Sequence, residues 1–189
     1  FLAACGVDDN AAQTETATAT STSSVTEAAT AKITPAKGMR FESVQPNEKD
    51  EVVVPAGYET SVLIAWGDPV LAGAPAFDFD RQSAAAQAGQ MGYNCDYVGV
   101  LRNGSANQAV LVVNNEYTNN NLMFHDYTTA AAMTDDQVQI TMNAHGMTVV
   151  EMTRKNANSK WVYTKAAPLN RRITATTPFK LVGPAKGSS

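Results

Sequence analysis

The chain has 189 residues, with 14 Lys and Arg against 18 Asp and Glu for a net charge of −4. Nothing in that acidic balance points to nucleic acid, and no block of like charge points to an electrostatic membrane patch. No apolar run reaches the roughly 18 to 20 residues that a bilayer-spanning helix needs.

Phe1-Leu2-Ala3-Ala4-Cys5-Gly6 resembles the end of a bacterial lipoprotein signal peptide. Such a lipobox needs an apolar residue, two small ones and then the cysteine that takes the lipid; Leu2, Ala3, Ala4 and Cys5 satisfy each position. Residues 1–5 are therefore read as the remnant of a signal peptide, with Cys5 as the lipidation site. From Asn10 to Ala31 the chain is Thr, Ala, Ser and Glu with a single valine and no aromatic residue. Such a segment buries too little apolar area to offset its ordering entropy, so residues 6–40 read as a tether between a membrane anchor and a globular domain. The first residue is Phe1, not Met, and Gly187-Ser188-Ser189 closes a strand-like run, so the chain reads as a fragment of an exported, membrane-tethered protein, periplasmic or at the cell surface.

Residues 41–189 carry the foldable part. Glu51 to Tyr58 and Thr60 to Trp66 are β-branched and aromatic runs, expected as short strands ended by Pro55-Ala56-Gly57 and Gly67-Asp68-Pro69. Ser83 to Gln90 is alanine-rich behind a serine, which predicts a short helix. Tyr97 to Leu101 and Gln108 to Val113 are strand candidates around Asn103-Gly104, a turn pair that tolerates positive φ. Asn119-Asn120-Asn121 reads as a loop. Thr134-Asp135-Asp136-Gln137 has the form of a capping box, and the helix behind it should stop near Gly146. Met147 to Met152 and Lys160 to Thr164 form a predicted hairpin over the polar loop Lys155 to Ser159, followed by extended runs at Arg171 to Thr174 and Phe179 to Val182. Short strands with turn signals every eight to twelve residues or so and few helices predict a mainly β, antiparallel architecture, a propeller or a sandwich.

Three clusters could carry chemistry. Cys95 is the one cysteine of residues 41–189; with Cys5 lipidated it has no disulfide partner in an exported protein. Tyr93, Asn94 and Asp96 flank it, and a thiolate beside carboxylate and amide oxygens suits a transition metal as well as a buried apolar thiol suits a core. Asn114-Asn115-Glu116 offers hard oxygen ligands at a strand end, or a solvated Asx turn. Arg171 and Arg172 offer guanidinium forks for a phosphate oxygen, or a surface pair. His125 and His145 are too far apart for zinc-site spacing; His145-Gly146 reads as a helix cap, and Asp78 and Asp80 as solvated carboxylates. Nucleophile-elbow, Walker and dinucleotide motifs are absent from the sequence.

An ordered series of segments resembles the PhoX family of bacterial alkaline phosphatases. It runs Phe41-Glu-Ser-Val44, Val54-Pro-Ala-Gly-Tyr58, Leu63-Ile-Ala-Trp-Gly-Asp-Pro69, Gln87 to Gly92 into Tyr93-Asn-Cys-Asp-Tyr97, and Asn114-Asn-Glu-Tyr-Thr118. His145-Gly146 with Val149-Val150-Glu151, Asn170-Arg-Arg-Ile-Thr174 and Gly183-Pro184 complete it. The resemblance implies part of a β-propeller with short helical insertions, incomplete over this length, and a site holding an Fe3+ pair with Ca2+. It implies hydrolysis of phosphate monoesters outside the cytoplasm to scavenge phosphate, with these 189 residues inactive alone. Cys95 would be the iron-bound thiolate and Glu116 a carboxylate ligand, with Asn94, Asp96 and Asn115 as weaker metal-ligand candidates and Arg171 and Arg172 as candidate phosphate contacts. The family commonly has Asn-His-Glu-Tyr where this chain reads Asn114-Asn115-Glu116-Tyr117. The alternative is a surface lipoprotein whose propeller binds a ligand or partner without catalysis.

Overall fold

The computed structural model describes residues 41–187; the lipobox, Cys5 and the tether lie outside the described residues. The chain divides into two compact units, with the boundary between Glu59 and Thr60. In the first, described from Phe41, the backbone is irregular. The Tyr58 N–H closes a turn onto the Pro55 carbonyl at 3.0 Å with Gly57 at φ 86°, and Phe41 meets Tyr58 edge to face at 5.7 Å.

The second unit is built on one open, antiparallel sheet of five strands. Strands β1 (Cys95–Arg102), β2 (Gln108–Asn115) and β3 (Gly146–Thr153) pair in order. The far edge of β3 is shared, by β4 (Val162–Tyr163) at one end and β5 (Arg171–Ile173) at the other. Between them Asn170 substitutes for a strand. Its Oδ1 accepts from the Glu151 N–H at 2.8 Å, and its Nδ2 donates to the carbonyls of Thr164 and Val70. A buried side-chain amide thus takes the place of a peptide in the ladder, which keeps backbone groups satisfied where the edge is divided.

The alternation along β2 decides where the core lies. Ala109, Leu111 and Val113 face the same way as Val150 and Met152 of β3, and with Val70 and Met91 they form the main apolar cluster. Leu63, Ile64, Trp161 and Tyr163 pack against it. That cover stops at β2. Val98 and Val100 stand opposite Val113 and Leu111, on the core side, yet they are 53% and 59% exposed.

Three helices cover the other end: α1 (Ala84–Gly89), the single turn α2 (Asn120–Met123) and α3 (Asp135–Ala144). Met123, Phe124, Ile140 and Ala144 form a second cluster there, with Trp66 and Tyr93 against it. Ser83 caps α1, accepting from the Ala86 N–H, and Thr134 with Gln137 makes the reciprocal capping box of α3. His145 ends α3, its Nδ1 lying 2.7 Å from the Thr141 carbonyl.

Three sequence expectations are corrected. Glu51 to Tyr58 and Thr60 to Trp66 form no strand, and each closes a local turn instead: the Tyr58 N–H donates to the Pro55 carbonyl, and the Ala65 N–H to Asp68 Oδ2 at 2.8 Å. Asn120 and Asn121 open α2 where a loop was expected. Phe179 to Val182, expected as an extended run, joins no ladder, with Val182 extended.

Candidate functional site

The antiparallel pairing of β1 with β2 brings the two chemistry-bearing segments to one corner of the sheet. Cys95, the first residue of β1, stands opposite Asn115, the last residue of β2. One residue further, the Glu116 N–H donates to the Asn94 carbonyl at 3.1 Å. Asn94 sits in the left-handed region, φ 50°, a conformation that asparagine tolerates better than most residues. It turns the chain into β1, and the register then slips between Cys95 and Val98, so Asp96 and Tyr97 fall in an irregular stretch. Asn94 is half-buried, whereas Cys95, Asp96 and Glu116 are exposed.

The Cys95 thiol is free. Although the residue reaches solvent, burial among its neighbours pushes the thiol pKa up. Burial also raises the Tyr93 phenol, with the charge of Tyr117 adding to it.

Beneath this corner the buried face of the sheet changes from apolar to polar. Asn115 continues the Ala109-Leu111-Val113 row and is 2% exposed. Thr148 and Arg172, paired with each other across β3 and β5, lie on the same face. The Asn115 Oδ1 accepts from Thr148 Oγ1 at 2.7 Å and from Arg172 Nη1 at 2.9 Å. Arg172 Nη1 also donates to Thr148 Oγ1, and Nη2 to the Asn143 carbonyl, each at 2.5 Å. Burial lowers the Arg172 pKa to about 10, which leaves it protonated at neutral pH. Arg171 is exposed, its Nη1 folded back onto the carbonyls of Pro168 and Asn170.

The structure therefore brings Asn94, Cys95, Asp96, Asn115 and Glu116 together, with Arg172 packed under Asn115. Arg171 points to no shared contact with them. Among the described residues, no group of three or more His, Cys, Asp or Glu side chains could hold a metal ion. One thiol and one or two carboxylates at this corner form part of a donor set suited to a thiophilic metal, and such a set needs further ligands to close. Thr148 was not singled out from sequence. A threonine inside a mostly apolar strand candidate was the available signal.

A shallow cavity of about 460 Å³ lies elsewhere, lined by Phe77, Asp78, Arg81, Gln82 and Gln90 among others, and no nominated site residue reaches it.

An open antiparallel sheet with a thiol and carboxylates gathered at one strand-end corner defines a mainly β protein with a polar candidate site. Residues 39–189 match the family described as alkaline phosphatase PhoX, and the chain belongs to that family. A solved structure, "Pseudomonas fluorescens PhoX in complex with vanadate, a transition state analogue", is similar at 34% identity and a TM-score of 0.71. The likeness covers 78% of this chain and 25% of that one. The chain thus spans about a quarter of the length of that relative. No curated protein sequence matches it.

Proposed function

We propose that this chain is part of an exported, metal-dependent alkaline phosphatase that hydrolyses phosphate monoesters to scavenge phosphate. The observation that carries the reading is the pairing of Cys95 with Asn115 and of Glu116 with Asn94, within a chain that belongs to the PhoX family. The relative solved in complex with vanadate, named as a transition-state analogue, supports phosphoryl chemistry for that protein.

On this reading Cys95 and Glu116 ligate an Fe3+ pair accompanied by Ca2+, with Asp96 and Asn94 at the same corner as further oxygen donors. Bound there, the ions would supply Lewis acidity and positive charge for the phosphoryl oxygens. The chain's own contribution is placement. On this reading the register slip after Cys95 and the left-handed turn at Asn94 would set the thiol and carboxylate at the strand ends. The exposed Arg171 would reach a phosphate oxygen only by leaving the Pro168 and Asn170 carbonyls. The open sheet is consistent with one part of a propeller that further strands close.

The test is turnover of an aryl phosphate. A protein carrying this chain at the full length of its relative should hydrolyse the ester and contain iron and calcium, and the 189 residues alone should show little or none. Inactive full-length protein free of iron would refute the proposal.

A further inference from the structure

We propose that Arg172 is a positioning residue: its guanidinium clamps Asn115 and so holds the end of β2, with Glu116, opposite Cys95. The inference rests on the functional reading above for its catalytic consequence, but the clamp itself stands on geometry.

A buried arginine normally lies against a carboxylate. Among the described residues none pairs with Arg172, and its partners are neutral acceptors drawn from three elements. From β2 comes Asn115 Oδ1 at 2.9 Å; from β3 come Thr148 Oγ1 at 2.5 Å and the Met147 carbonyl at 3.3 Å. From the end of α3 come the carbonyls of Asn143 at 2.5 Å and His145 at 3.4 Å. The last carbonyls of a helix have no intrahelical donor and carry partial negative charge, so a cation placed there both satisfies them and is stabilised by them. The guanidinium thereby closes the C-terminal end of α3 and fastens that end to two strands.

Asn115 is the member that transmits this to the site. Its Oδ1 takes hydrogen bonds from both Arg172 and Thr148, which fixes the carboxamide. The space beside it is kept by Gly92, where an added Cβ would collide with the Asn115 carboxamide and the Ala144 carbonyl. From Gly92 the chain passes to Tyr93, whose N–H donates to that same Ala144 carbonyl at 2.9 Å, and then to Asn94 and Cys95. Two paths therefore lead from the clamp to the thiol: the β1–β2 pair Cys95 to Asn115, and the Gly92-Tyr93 segment lying against the end of α3. With both amino groups of Arg172 engaged and its side chain buried, its role differs from that of a direct phosphate contact.

The experiment uses the full-length protein, with steady-state kinetics on an aryl phosphate and amide hydrogen exchange on the same variants. Arg172→Met and Asn115→Leu should each lower kcat by about tenfold or more with KM within about twofold of wild type. Exchange at the Tyr93 and Glu116 amides should accelerate by about tenfold while the middle of β2 stays protected. Asn115→Asp should keep the wild-type exchange pattern at Tyr93 and Glu116 that Asn115→Leu loses, because a carboxylate oxygen still accepts from Arg172 and Thr148. Should Arg172→Met fail to fold, Thr148→Val gives the same local exchange pattern at smaller amplitude if the clamp is real. A raised KM at unchanged kcat would make Arg172 a substrate contact and overturn the proposal, as would uniform loss of protection across the sheet or no change at all. If the wild type itself lacks phosphatase activity, the functional reading falls, and the exchange pattern alone decides the clamp.

Discussion

At the scale of single residues, the buried amides of Asn115 and Asn170 and the buried guanidinium of Arg172 tie separate elements together. Asn170 completes the divided edge of β3, and Asn115 anchors the site corner; both are almost fully buried. Asn115 was a weaker ligand candidate in the sequence beside Glu116, and the period-two row Ala109, Leu111, Val113 places it on the buried face. Cys95 and Glu116 stand out in the sequence because reactive side chains at strand ends are conspicuous. Arg172 stood out only as a candidate phosphate contact; its buried bond to Thr148 did not, since Thr148 is 24 residues away and only the β3–β5 register unites them.

Asp78 gives a residue-scale prediction. A hydrogen bond from the Arg81 side chain lowers its pKa below the usual 3.8, against the opposing effect of burial. Arg81 Nε donates to Asp78 Oδ2 at 2.7 Å. Because the folded pKa is depressed, this contribution to stability is present above the ordinary carboxylate value and is lost as pH falls through the lowered one. An NMR titration of the Asp78 carboxyl should give a midpoint under 3.8, moving up in Arg81→Gln; an unmoved midpoint would contradict the pairing.

Among the elements, those with their own local chemistry were readable. The Thr134 capping box, the serine-capped α1 and the hairpin around Asn103-Gly104 all form as their residues dictate. Glu51 to Tyr58 and Thr60 to Trp66 have strand composition without a ladder to join, and β propensity without a neighbouring strand does not make a strand. The junction of α3 with β3 is the most constrained point. Gly146 has φ 105°, and an added Cβ there would run into the Ile173 carbonyl and the Thr174 backbone. Gly146 also pairs with Asn115, so strain at this point reaches the site corner. Gly146→Ala should lower unfolding stability by about 3 kcal/mol or more, combining an unfavourable φ with a collision against backbone that has no rotamer to yield. Denaturant unfolding measures it; a loss below about 1 kcal/mol would show that β5 can move aside.

For the whole molecule, the mainly β, antiparallel character and the family were legible in the sequence, because many weak segments in one order are collectively specific. A ligand set is not legible in this way, since ligands converge only through tertiary structure, and among the described residues no group of three or more His, Cys, Asp or Glu does so. The lipobox reading is a whole-molecule proposal of its own. Lipidation at Cys5 would hold the domain at a membrane surface, so on this proposal Cys5→Ala should move the protein from the membrane fraction to the soluble one. Unchanged fractionation would remove the anchor from the account.

The central claim is that the corner formed by Cys95 and Glu116 holds catalytic metal. It is tested most directly by iron content and aryl phosphate turnover of full-length Cys95→Ser beside the wild type. Replacing the thiolate by a hydroxyl removes the soft ligand with little change in volume. The account predicts that iron is lost and that turnover falls with it by about 100-fold or more. A variant that kept its iron and full activity would contradict it.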